Sequence, residues 1–306
     1  MAGWTFSDIP SQQDRSAVVT GTGGLGYETA LALARAGADV TLAGRNPEKG
    51  AESVSRIRAE VPAAKIAFER LDLASLASVE DFAGQMLAGD TSLDLLVNNA
   101  GVMTPPSRKT TSDDFELQFG TNYLGHFALT GRLLPLLRKA RAPRVVNLSS
   151  LAHRGGAIHF DDLQWQRSYR PWAAYGQSKL AMLMFAFELQ RRSDAGGWGL
   201  MSNAAHPGYA RTELIANGPG TDRWLFKLTG FLRPFASQSA AEGALPTLFA
   251  ATSPDARGGA YYGPDGIYEL KGPPKLAKAM PQAHDKKVAA QLWEISESLT
   301  GVSFPA

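Results

Sequence analysis

The sequence predicts an α/β domain built on a doubly wound parallel sheet of about seven strands, with helices on both faces. Three observations point there. From Ser16 onward, short β-branched or apolar runs alternate with longer segments of helical period. The first run ends in a glycine-rich turn that opens a helix, as a ligand-binding strand-to-helix unit requires. The 306 residues are 44% hydrophobic, enough for one substantial core, and no repeat or low-complexity linker divides them.

In order, the strands fall at Ala17–Thr20, Val40–Ala43, Ile66–Arg70, Leu93–Val97, Val145–Leu148 and Leu200–Ala204. Asn46-Pro47-Glu48 starts a helix with a cap, a proline in the first turn and an early acid, and Thr110–Asp114 offers capping residues before another. Glycine and proline cluster late, at Asn217–Gly220, Gly258–Gly266 and Gly272–Pro274, where loops are expected. The chain therefore divides into an N-terminal extension, 1–15, and a single domain, 16–306. That domain carries a substrate or lid region at about 211–237 and a C-terminal extension at about 263–306.

Composition removes several classes of function. Thirty-one basic and 29 acidic residues are intermixed, for a formal charge of +2, so neither nucleic acid nor an anionic membrane is the expected partner. With no cysteine there is no disulfide, thiolate metal site or cysteine nucleophile, and His153 and His159 lack carboxylates at metal-binding spacing. Met1–Pro10 has no basic segment before an apolar run, and Leu180–Leu189 is about half the length that crosses a bilayer. A cytoplasmic protein without a transmembrane segment is expected.

Strand-like Ala17–Thr20 runs into Gly21-Thr22-Gly23-Gly24-Leu25-Gly26 and then a helix. Such a turn lets backbone amides approach a pyrophosphate at the positive end of the helix dipole, and marks the sheet as Rossmann-type. Gly44 stands where an acid would hold the ribose hydroxyls of NAD. Arg45, followed by Asn46, brings a guanidinium suited to a 2′-phosphate. NADP(H) is thus preferred with NAD(H) possible, the alternative for Arg45 being a surface ion pair. Asp72, followed by Leu73, is placed to accept from an adenine amino group and equally to cap the helix near Ser75, two roles that are compatible. Asn98-Asn99-Ala100-Gly101 closes the fourth strand with small residues where a cofactor must pass close to backbone.

Tyr175 and Lys179 stand four residues apart, so they share a helix face and an amine can lie beside a phenol. A cation there is expected to lower the tyrosine pKa toward the working range. With Asn122, Ser149-Ser150 and Pro207-Gly208 followed by Thr212, these residues make the chain resemble the short-chain dehydrogenase/reductase family over roughly Ser16–Tyr262. Ala43–Asn46, Asn122–Phe127, Ser149–His153, Phe160–Leu163 and His206–Tyr209 are similar to the subgroup containing retinol dehydrogenases and protochlorophyllide reductase-like proteins. The glycine turn, Thr20–Gly26, spans seven positions where the family pattern has eight.

The resemblance implies an NADPH-dependent oxidoreductase acting on an apolar or aromatic carbonyl or alcohol. Tyr175 would be general acid and base, Ser150 would hold the substrate oxygen, Lys179 would bind the nicotinamide ribose, and Asn122 would seat a proton-relaying water. Pro207, Gly208 and Thr212 would line the nicotinamide, and a homodimer or homotetramer would pair through the helices of Asn122 and Tyr175. An NAD-preferring alcohol dehydrogenase and a cofactor-sensing scaffold are the alternatives. The 24 residues between Ser150 and Tyr175 carry His153, His159, Trp165, Tyr169 and Trp172, and read either as a substrate wall or as a self-packed surface loop. The apolar helical face in Leu214–Phe235 reads as lid, subunit contact or core.

Overall fold

The computed structural model describes residues 3–89, 91–210 and 237–305. Among them the sheet has eight strands: β1 (Ser16–Thr20), β2 (Asp39–Gly44), β3 (Ile66–Arg70), β4 (Leu95–Asn98), β5 (Arg144–Leu148), β6 (Met201–Ala205), β7 (Tyr261–Pro264) and β8 (Pro274–Leu276). Their order is β3-β2-β1-β4-β5-β6-β7-β8. The first seven run parallel, and β8 pairs antiparallel with β7. β7 falls within Gly258–Gly266, where a loop is expected, and β8, the strand beyond the expected seven, is only three residues long with proline at its start, which leaves no period to read.

Between the strands lie α1 (Gly24–Arg35), α2 (Pro47–Glu60), α3 (Leu76–Ala88), α4 (Gly125–Leu137), α5 (Pro171–Gly196), α6 (Ala240–Thr252) and α7 (Lys286–Thr300). One core joins α1, α2 and α6 to the sheet, and a second joins α3, α4, α5 and α7 to the other face. The parallel strands are buried on both sides, as β4 with four buried residues illustrates. Asn46 caps α2 by accepting the Lys49 amide at 3.0 Å, with Pro47 the first helical residue. The stretch before α4 differs from expectation. The Thr110–Asp114 capping residues form a turn, and the carboxylate of buried Glu116 takes the Gln118 and Phe119 amides at 3.0 and 2.8 Å. From there a π-helical turn, Phe119–Leu124, leads into α4 and carries Asn122.

The Ala181–Leu189 run of α5, open as subunit surface or core, is buried within the chain throughout. Lying over α4 and α5 is α7, whose Trp293 meets Phe127, Phe185 and Phe304 at ring distances of 5.0, 5.7 and 4.5 Å. The helices expected to pair between subunits are thus covered in part by the chain's own C-terminal helix. Trp293 is 1% exposed, so truncation leaves a cavity between three helices. Trp293→Ala is expected to cost about 3–5 kcal/mol in chemical denaturation; a loss below about 1 kcal/mol would show that α7 is not part of the cooperative core.

Candidate active site

The site forms at the carboxyl ends of β1, β4, β5 and β6, where a buried polar chain fixes the spacing of the loops. The Thr20 hydroxyl oxygen accepts the amides of Asn99 and Ala100 at 2.9 and 3.0 Å. It lies 2.9 Å from His126 Nε2, and His126 Nδ1 lies 2.8 Å from the Asn122 carbonyl. Burial pushes the His126 pKa down to about 3, so the ring is neutral. Its Nδ1 faces a carbonyl and must carry the proton, which leaves Nε2 to accept from the Thr20 hydroxyl. His126 lies within the Asn122–Phe127 motif, but its partner Thr20 is 106 positions away, so the contact forms only on folding.

A cavity of about 1050 Å³ opens above these strand ends. Its floor includes Gly21, Gly23, Gly24 and Leu25, where β1 turns into α1. Gly21 has φ +96°, and Gly23 is the extended cap of α1. Gly26 lies beneath the floor: a Cβ there would stand 2.1 Å from the Gly21 carbonyl oxygen and 2.7 Å from Asn99 Nδ2. The turn one position shorter than the family pattern therefore still brings a glycine cradle onto the amino end of a helix with no acid in its first turn. That is a fit for the phosphates of a dinucleotide.

Farther along, Gly44, Arg45, Asn46 and Lys49 border the cavity, and Asp72 and Leu73 follow. Asn46 spends its side-chain oxygen on the α2 cap, and Lys49 is a rim residue that sequence reading missed. Asp72 is not the cap of α3; Ser75 is, accepting the Ser78 amide at 3.2 Å. The Asp72 carboxylate instead takes the Ala74 amide at 3.0 Å in a tight turn.

Asn99, Ala100 and Gly101 pass along the middle of the cavity, with Ser150, Tyr175 and Lys179 beyond them. Tyr175 and Lys179 share the buried face of α5 as their spacing implies. The expected lowering of the tyrosine pKa does not occur. Burial pushes Tyr175 up to about 12, against a partial offset from its hydrogen bond with Ser150. Lys179 is pushed down to about 8 by burial, its amine lies 5.8 Å from the phenol ring centre, and it donates to the Leu148 carbonyl at 3.1 Å. Desolvation outweighs the cation at that distance. Ser149 is structural, donating to the Lys179 carbonyl at 2.8 Å.

Asn122 stands behind the cavity wall. Its Nδ2 donates to Val102 O and Ser178 Oγ, both at 3.0 Å, and its Oδ1 accepts the Val102 amide at 2.7 Å. Both N–H donors are committed, and the side chain holds the 101–102 backbone behind the cavity. Pro207 and Gly208 border the opposite side with Tyr209, while Thr212 and the 214–235 apolar face lie outside the described residues. The 151–174 insertion does both things that were open for it. Leu151, Ala152 and Trp172 face the cavity, whereas Trp165 packs edge-on against His159 at 5.1 Å and Tyr169 binds Gln118. His206 is packed and fully buried.

The short chain dehydrogenase family model matches residues 15–220. Retinol dehydrogenase 13 of Mus musculus is 43% identical over 297 residues, covering 94% of this chain and 84% of its own length. Polyprenol dehydrogenase of Homo sapiens is 40% identical over 300 residues, covering 96% and 87%. Among solved structures, an uncharacterized protein from Mycobacterium Paratuberculosis aligns over 100% of both chains with a TM-score of 0.82 and 41% identity. A short chain dehydrogenase from Escherichia coli CFT073 complexed with NADPH aligns with a TM-score of 0.65 and 26% identity, over 83% of this chain and 97% of that one.

A methyl at position 26 would run first into the Gly21 carbonyl, which is backbone and has no side-chain freedom to move aside. Gly26→Ala is expected to weaken nicotinamide dinucleotide binding at least about tenfold in a fluorescence titration, since the turn must open to admit it. Affinity within about twofold of the parent would show that the turn does not form the phosphate site.

Proposed function

The chain belongs to the short chain dehydrogenase family, in its retinol dehydrogenase-like subgroup, and is a nicotinamide-dependent oxidoreductase; from that premise we propose that it reduces apolar or aromatic carbonyls with NADPH. The observation that carries this reading is the convergence of Ser150, Tyr175 and Lys179 on one cavity beside the glycine cradle. Around them the lining is largely apolar, with Val102, Met103, Leu151 and Trp172. The names of the relatives, which act on retinol or polyprenol, support an apolar substrate.

When bound, the nicotinamide supplies the hydride in reduction and takes it in oxidation. Ser150 Oγ holds the substrate oxygen and Tyr175 Oη donates to it, so charge developing on that oxygen meets two aimed donors. Burial keeps Tyr175 protonated at neutral pH, the form needed to give up a proton. Lys179, fixed by the Leu148 carbonyl, presents its amine toward Gly101, where it would hold the ribose hydroxyls of the nicotinamide. Asn122 keeps Gly101 and Val102 in place beneath them. Asp72 and Leu73 line the cavity where they would hold the adenosine end, and Pro207 and Gly208 where they would hold the nicotinamide end. Arg45 supplies the guanidinium for a 2′-phosphate, with Lys49 beside it.

Tyr175→Phe is expected to reduce kcat by about 10²–10⁴-fold with the fold intact by circular dichroism. Near-parental turnover would remove the assignment. The sign of the pH dependence follows from a phenol held up near 12. Carbonyl reduction needs the protonated phenol and should stay flat through neutrality. Alcohol oxidation needs the phenolate and should rise by roughly tenfold per pH unit over the same range. Equal pH profiles in the two directions would contradict this. For cofactor choice, Arg45→Ala should raise the KM for NADPH about tenfold and leave NADH nearly unchanged; a parent enzyme that favours NADH would defeat the preference itself.

A further inference from the structure

Outside the cavity, the turn Ile267-Tyr268-Glu269-Leu270 places two consecutive non-glycine residues in the left-handed region, with φ +55° for Tyr268 and +60° for Glu269. The Leu270 amide closes on the Ile267 carbonyl at 3.2 Å, the geometry of a type I′ turn. Those two central positions favour Asn and Gly, so a tyrosine and a glutamate persist there only if something holds them. Ile267 and Tyr268 are 82% and 78% exposed and anchor nothing. The anchor is Glu269. Its Oε2 accepts from Arg154 at 2.7 Å and faces His206 Nε2 at 3.2 Å, while its Oε1 accepts the Lys278 amide at 3.0 Å. Burial opposes its ionisation, yet His206, the Lys278 amide and Arg154 together bring its pKa down to about 2.

These contacts lead back to the cavity from two sides. Arg154 sits in the short helical turn Leu151–Gly155 that Ser150 caps. His206 directly precedes Pro207-Gly208, and its Nδ1 accepts the Gly208 amide at 3.2 Å. The backbone of the turn closes on the same loop. Leu270 O accepts the Tyr209 amide at 2.8 Å, and a Cβ at Gly208 would stand 2.3 Å from that oxygen. Glu269 itself does not border the cavity.

We propose that Glu269 is a positioning residue that locks the C-terminal turn onto two cavity walls at once, the Ser150 wall through Arg154 and the Pro207–Tyr209 wall through His206. The left-handed backbone at 268–269 is what aims the carboxylate between those partners. The consequence for cofactor binding rests on the nicotinamide-dependent reading, whereas the consequence for the backbone does not.

Hydrogen exchange with residue resolution tests it on the full chain. In Glu269→Gln, the amides of Tyr209 and His153 should exchange at least about tenfold faster than in the parent, with β1 and β4 amides unchanged. NADPH dissociation constants from calorimetry should rise about tenfold. Arg154→Met should speed His153 and spare Tyr209. The lock is overturned if Glu269→Gln leaves both amides within about twofold of the parent, or speeds all amides alike as a global loss of stability would. Should Glu269→Gln not fold, Arg154→Met decides alone: selective opening of the Ser150 wall supports the lock, and unaltered exchange overturns it. A parent protein that turns over no carbonyl would end the reductase reading while these exchange rates still judged the lock.

Discussion

The site depends on one buried hydroxyl. Thr20 ends the first strand of the sheet and accepts two amides from the loop that ends the fourth, while its proton goes to His126 in the helix behind. Because His126 is kept neutral by burial and donates its Nδ1–H to the Asn122 carbonyl, the glycine turn, the Asn99 loop and the π-helical turn become one hydrogen-bonded unit. Such a chain is valuable only when complete, since each polar group in it is shut off from water. It fixes the separation between the phosphate cradle and the Tyr175 face of α5, which no single strand pairing could do.

Proximity in sequence and coupling in space proved to be different things at Tyr175 and Lys179. Their four-residue spacing placed both on one face of α5, as helical geometry demands. It did not make them an ion pair. Both groups are nearly withdrawn from solvent, at 6% and 5% exposure, and desolvation drives each toward its neutral form, the phenol upward and the amine downward. The phenol is therefore held protonated and the amine is drawn toward its neutral form, each by loss of water rather than by the other's charge.

The parts of the molecule legible in the sequence are those where local chemistry forces the residue type. Gly21 at φ +96° and Gly26 pressed against a carbonyl admit no side chain, so the cradle announces itself, and β-branched runs such as Val18-Val19 or Val145-Val146 announce buried strands. What stayed hidden depends on groups that meet only after folding. Glu116 caps the π turn from just beyond the Thr110–Asp114 stretch expected to supply the cap, and Glu269 reaches Arg154 across 115 positions. Nothing local distinguishes either acid from a solvated one.

The distribution of irregular backbone separates the tasks of floor and wall. The floor stands on parallel strands in regular register, and among the described residues left-handed non-glycine backbone is absent from it. The wall is different. Thr104 at φ +44° borders the cavity, and Asp114 and Trp165 are left-handed in the loops packed behind it. Side chains staple these segments together: Gln118 accepts the Thr104 amide at 2.7 Å and donates to Tyr169 and to the Pro171 carbonyl, both at 3.0 Å. A floor of strand ends is costly to alter, because each residue there is tied into the sheet, whereas a stapled loop wall can change residue by residue without disturbing the sheet. Side chains that border the cavity, such as Met103, Leu151 and Trp172, stand on or beside those stapled loops.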